Sequence, residues 1–72
     1  MKIEVEAGSL REVKEAVRAG ADIIMLDNMG IEAMKKAVLT IRHASATVLI
    51  EASGNIDLDN VRTVAETGVD LI

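Results

Sequence analysis

The sequence contains no cysteine, no proline and no phenylalanine, tyrosine or tryptophan. Without cysteine there is no disulfide to staple a small chain. Without aromatic rings the core must be built from Val, Ile, Leu, Met and Ala. The same absence removes the stacking platforms of single-strand nucleic-acid binders. Positive charge is also scarce: eight Lys and Arg face twelve Asp and Glu, a net charge of -4. No basic run offers a footprint for a phosphate backbone, which argues against nucleic-acid binding. No apolar run approaches the ~18 residues that suggest a membrane span. Nor does the N-terminus show the basic, apolar and small-residue series of a signal peptide. A soluble cytoplasmic protein is the default expectation.

What is present is half hydrophobic, too much for a disordered chain. At 72 residues the chain is at most one small domain. A domain this size buries only about 60% of its unfolded surface. Asp22-Ile23-Ile24-Met25-Leu26-Asp27-Asn28 is a short apolar run closed by acids, with Gly20 before it and Gly30 after it. It reads as a buried parallel strand over residues 22–26. Asp27 then stands where the strand hands over to a loop, the edge at which α/β folds place chemistry.

The remaining elements follow from periodicity. Residues 2–6 alternate strictly, with Ile3 and Val5 on one face and Lys2, Glu4 and Glu6 on the other. Ser9-Leu10-Arg11-Glu12 matches a capping box, and Leu10, Val13, Ala16 and Val17 carry a helix over 10–19 that Gly20 stops. Ile31, Met34, Ala37, Val38 and Ile41 form the buried stripe of a helix over 31–42. Residues 47–51 read as a third strand. A third helix is expected over 58–66, capped by Asp57, with Leu58, Val61, Val64 and Ala65 inward. Residues 69–72 begin a fourth strand.

An internal echo supports this division: the pattern of residues 16–24 returns 48 positions later at 64–72. The expected fold is α/β, a parallel β-α-β-α-β-α-β segment with right-handed crossovers. It amounts to a small open sheet or about half of a (β/α) barrel, since a full barrel needs about 250 residues. The whole chain, residues 1–72, is then one partial barrel domain. Its edge strands lack partners, and unpaired edges invite self-association.

Parallel strands present their C-terminal ends on one rim. Here those ends carry Glu6, Asp27 and Ser53-Gly54-Asn55. If the faces are in register, Glu6, Asp27, Glu51 and Ser53 point to a common side. Two carboxylates on one rim suit magnesium or sugar hydroxyls. Ser53-Gly54-Asn55 precedes a helix, so its backbone N–H groups suit a phosphate. The structural alternatives are that Asp27 and Asn28 cap the second helix and that Asn55 turns the chain. His43 falls at the end of that helix, on the opposite rim, where it suits the helix C-terminus better than catalysis. Ser53 has no base near it in sequence, which argues against a hydrolase triad. No residue is assigned a catalytic role.

The residues that carry a family likeness are Lys2-Ile3-Glu4-Val5-Glu6, Ala19 to Met29, Glu51-Ala52-Ser53-Gly54-Asn55-Ile56 and Ala65-Glu66-Thr67-Gly68-Val69-Asp70. In this order and spacing the chain resembles the quinolinate phosphoribosyltransferase family. The resemblance implies NAD biosynthesis: quinolinate and phosphoribosyl pyrophosphate yield nicotinate mononucleotide, carbon dioxide and pyrophosphate, with Mg2+ as cofactor. It also implies an incomplete α/β barrel and a homo-oligomer.

By the same resemblance Glu6, rather than Glu4, and Asp27 hold the ribose hydroxyls and the associated magnesium. Ser53, Gly54 and Asn55 match the loop that contacts the 5-phosphate. The basic residues that grip quinolinate would precede Lys2, and the glycine turn completing the phosphate site would follow Ile72. The chain by itself is therefore expected to be inactive. A half-barrel excised or engineered for folding or assembly, without activity, is the alternative expectation. A relative with the same barrel and another acceptor base is a third.

Overall fold

The computed structural model describes residues 2–54 and 56–72. Strands and helices alternate: β1 (Glu4–Ala7), α1 (Leu10–Arg18), β2 (Ile23–Asp27), α2 (Ile31–Ala44), β3 (Leu49–Ser53) and α3 (Val61–Glu66). The three strands form one parallel sheet in the order β1-β2-β3. The expected fourth strand is present as a single parallel bridge between Glu51 and Leu71.

Two faces of the sheet differ. Ala7, Ile24, Leu26, Ile50 and Ala52 are buried and join Val13, Ala16, Met34, Ala37, Val38 and Ile41 from the helices in one core. The alternating residues, Glu4, Glu6, Ile23, Met25, Asp27, Leu49, Glu51 and Ser53, are exposed or half-buried. The register places them in rows on one side: Glu4, Ile23 and Leu49; Glu6, Met25 and Glu51; Asp27 and Ser53. Helices therefore cover one face only, as consecutive right-handed crossovers require.

Local chemistry explains where elements begin. The Ser9 hydroxyl accepts the Glu12 N–H at 3.2 Å, and the Glu12 carboxylate reaches back to the Gly8 N–H at 2.9 Å. The expected capping box thus forms, with its return bond one residue earlier than the standard pattern. The stripe Met34, Ala37, Val38 and Ile41 of α2 is buried as expected.

Three expectations are corrected. The first strand runs from Glu4 rather than residue 2; the Ile3 N–H goes to the Asp22 carboxylate, and only the Ile3 carbonyl meets β2. The third strand starts at Leu49 rather than 47, after a turn in which Ser45 and Thr47 hydrogen-bond each other. The largest change is in α3, which starts at Val61. The Asp57 carboxylate accepts the N–H groups of Asp59 and Asn60, so it folds a separate turn ahead of the helix. Leu58 is consequently 95% exposed, Val61 and Ala65 also face outward, and Val64 alone of the four is buried.

The repeated segment has a structural counterpart. The Asp22 carboxylate accepts the Ile3 N–H at 2.7 Å, while Ile3 O accepts both the Asp22 and Ile23 N–H groups. In the same way Asp70 accepts the Ile50 N–H at 2.8 Å, and Ile50 O accepts Asp70 and Leu71. Each aspartate reaches back to the preceding strand at the N-terminal rim. Asp70 is further tied to Arg42 at 2.6 Å, and Arg42 also donates to Val48 O at 2.7 Å.

Candidate functional site at the C-terminal rim

The sheet delivers its acids to one place. Glu6 is the third of four residues in β1, Asp27 ends β2 and Ser53 ends β3. All three lie on the uncovered face, and Asp27 is the register partner of Ser53. Strand spacing and rise put the Cα atoms of Glu6 and Asp27 about 8 Å apart. Glu51 shares the row of Glu6, with Met25 between them.

None of the carboxylates of Glu6, Asp27 and Glu51 has a hydrogen bond or ion pair among the described residues. In particular, Asp27 and Asn28 do not cap α2. Its N-cap is Gly30, which provides no side-chain bond. The capping alternative for Asp27 therefore fails, and its carboxylate has no partner among the described residues. No group of three or more His, Cys, Asp and Glu close enough to hold a metal occurs among the described residues. A cation at this rim would take one or two carboxylates and keep other oxygen ligands, a pattern that suits magnesium.

The loops behind the acids are interleaved. Asn28 has φ 58°, and its N–H donates to Ser53 O at 2.8 Å. Gly54, with φ 80°, lies against it: a Cβ there would stand 3.1 Å from Asn28 N and 3.2 Å from Asn28 Cα. Below this contact is a cleft of about 170 Å3 bordered by Met29, Met34, Ile56 and Val64. The phosphate expectation is altered in one respect. Ser53-Gly54-Asn55 does not lead directly into a helix, since α3 begins at Val61 and has only six residues. Any anion at this turn must rely on loop N–H groups, not on that helix terminus. Asn55 lies outside the described residues. His43 stands in the last turn of α2, away from this rim, as expected.

Asn28 was legible in sequence only as a possible cap. Its contact with Gly54 joins residues far apart in the chain, and no spacing pattern encodes it. A hint was available in the residue type, because Asn is several-fold enriched at positive φ.

Comparison with known proteins matches all 72 residues to the family described as quinolinate phosphoribosyl transferase, C-terminal domain. A probable nicotinate-nucleotide pyrophosphorylase [carboxylating] from Synechocystis is 51% identical over 72 residues, all of this chain and 24% of that protein. The solved nicotinate-nucleotide pyrophosphorylase from Francisella tularensis superposes with a TM-score of 0.85 at 45% identity, over 96% of this chain and 24% of its own. A thiamine phosphate pyrophosphorylase from Pyrococcus furiosus gives 0.84 at 32% identity, over 100% of this chain and 37% of its own. The chain thus spans about a quarter of the nicotinate-nucleotide relatives it matches.

Proposed function

This chain belongs to the quinolinate phosphoribosyltransferase family, as part of its C-terminal domain, and from that premise we propose that its rim is the donor-binding portion of such an enzyme. The parent reaction joins quinolinate to phosphoribosyl pyrophosphate, giving nicotinate mononucleotide, carbon dioxide and pyrophosphate in NAD biosynthesis. Glu6 and Asp27 take the ribose hydroxyls. Ser53, Gly54 and Asn55 take the 5-phosphate. The observation that carries this reading is the alignment on one uncovered sheet face of Ser53 with two carboxylates that have no partner among the described residues.

The charge balance gives the cofactor a reason. A donor with several phosphate groups meets a rim whose side chains are acidic, and the two repel. Glu6 and Asp27 fit Mg2+ by donor type; bound there, the ion would offset charge on the donor's diphosphate. The carboxylates orient hydroxyls by accepting their hydrogen bonds, and the loop fixes the far end of the donor. No residue of this reading is assigned to quinolinate, so the proposal concerns the donor alone. Its two sheet edges favour pairing with another subunit or with further strands. No helix among the described residues is long and apolar enough to cross a membrane. A cytoplasmic setting is consistent with the acidic, cysteine-free composition.

A second reading keeps the scaffold and changes the substrates. The likeness to a thiamine phosphate pyrophosphorylase at 32% identity over the whole chain favours it. The test is titration of the isotopically labelled chain with phosphoribosyl pyrophosphate and Mg2+, followed by amide NMR. Both ligands together should shift the amides near Glu6, Asp27, Ser53 and Gly54. A well-dispersed spectrum that stays unchanged would overturn the donor-site assignment. Shifts with thiamine phosphate and none with phosphoribosyl pyrophosphate would favour the second reading.

A further inference from the structure

We propose that Asn28 is a positioning residue which, with Gly54, interlocks the β2–α2 loop and the turn after β3. The interlock fixes where the Asp27 carboxylate stands relative to Ser53. The consequence for ligand binding rests on the donor-site reading above; the interlock itself does not.

Asn28 is the one non-glycine residue at positive φ among the described residues. Its side chain does not cap α2, whose N-cap is Gly30. Its contribution is therefore made through the backbone. The left-handed turn at residue 28 leaves Asp27 on the open face and sends Met29 back toward the core. The Asn28 N–H donates to Ser53 O at 2.8 Å, which continues the β2–β3 ladder beyond the end of β2.

Gly54 closes the arrangement from the other side. A Cβ on Gly54 would stand 3.1, 3.2 and 3.3 Å from the N, Cα and Cβ of Asn28. Two of those atoms are backbone, and the N is already committed to Ser53. Asn28 cannot retreat without breaking that bond, and Gly54, at φ 80°, cannot take a side chain without strain. The two loops therefore move together or not at all. Asp27 precedes one contact residue and Ser53 precedes the other, so the pair keeps a fixed spacing at the rim.

Three variants of the 72-residue chain separate this role from general stability: Gly54→Ala, Asn28→Val and Asn28→Gly. Each is measured by urea unfolding, by hydrogen exchange at residue 28, and by affinity for phosphoribosyl pyrophosphate with Mg2+. Glycine keeps the left-handed backbone, so Asn28→Gly should hold exchange and affinity within about twofold of the parent chain. Valine disfavours that backbone, so Asn28→Val should speed exchange and weaken binding by about tenfold. Gly54→Ala should do the same and shift the amides of residues 27–29 across the gap.

Equal losses in Asn28→Gly and Asn28→Val would overturn the proposal, because the side chain would then be what matters. So would a folded Gly54→Ala whose residue 28 exchanges at the parent rate. If Gly54→Ala does not fold, the pair at position 28 decides alone. If the parent chain binds no donor, the donor-site reading fails, and the exchange rates and cross-loop shifts still decide the interlock.

Discussion

The two ends of the sheet use the same residue type in opposite ways. At the N-terminal rim, Asp22 and Asp70 each accept a backbone N–H from the preceding strand, and Asp70 also holds Arg42. At the C-terminal rim, Asp27 and Glu6 accept nothing from the described residues. The difference follows from where each acid sits. Asp22 and Asp70 precede their strands, where the backbone of the strand before still has an N–H to satisfy. Asp27 closes a strand whose N–H and C=O groups the ladder already serves. A carboxylate in the first position is consumed by the fold, and one in the second is left for a ligand. Barrel-type α/β proteins in general keep stability at one rim and chemistry at the other.

Substitutions at the two rims should therefore separate stability from binding. The largest loss is expected for Asp70→Ala, which removes the partner of both Ile50 N–H and Arg42. Charged hydrogen bonds of this kind, discounted for partial exposure, give a loss of about 1–2 kcal/mol in urea unfolding. The same residue sets a pH dependence. The Ile50 N–H, and after it the Arg42 guanidinium, hold the Asp70 carboxyl below its ordinary value, against a smaller opposing effect of burial. Its folded pKa is depressed, so its stabilisation is complete above the unfolded value of about 3.9. That stabilisation is lost as the pH falls through the folded value. Acid unfolding curves of the parent chain and Asp70→Asn should converge at low pH; curves that stay parallel would contradict the assignment.

Asp22→Ala should cost less, about 1 kcal/mol, since among the described residues Asp22 accepts one backbone N–H and no cation. Its signature is local: exchange at the Ile3 amide should quicken before the rest of β1 is affected. The smallest effect on stability is expected for Asp27→Asn, within about 0.5 kcal/mol, because no described contact is lost. That variant should nevertheless abolish the NMR response to phosphoribosyl pyrophosphate with Mg2+. If Asp27→Asn unfolds the chain as readily as Asp70→Ala, the contrast between the rims is wrong.

Much of this was legible in the sequence because it depends on local periodicity. The alternation in residues 2–6 and the apolar run at 23–26 gave the strands. The stripe from Met34 to Ile41 gave α2. The common side of Glu6, Asp27, Glu51 and Ser53 followed from strand parity, and the register bears it out. The start of α3 was misplaced for a local reason: Leu58 and Val61 have helical spacing, while the Asp57 side chain folds a competing turn ahead of the helix. The aspartate bonds at the N-terminal rim were visible only as an echo between residues 16–24 and 64–72. A repeat in sequence marks a repeated backbone problem without naming the bond that solves it. The meeting of Asn28 and Gly54 was not legible at all, because it arises only when two crossovers bring their loops side by side.

The backward reach of the aspartates has a consequence for synthesis on the ribosome. The chain emerges N-terminus first, yet the Ile3 amide is satisfied by a residue 19 positions later and the Ile50 amide by one 20 positions later. Each strand is thus synthesised before the residue that fastens its beginning exists. Early strands must remain unfastened while the following helix is made, and every new unit completes its predecessor before it is complete itself. Assembly along this chain is retroactive: a stall after residue 69 would leave the start of β3 open even though every residue of β3 had been made.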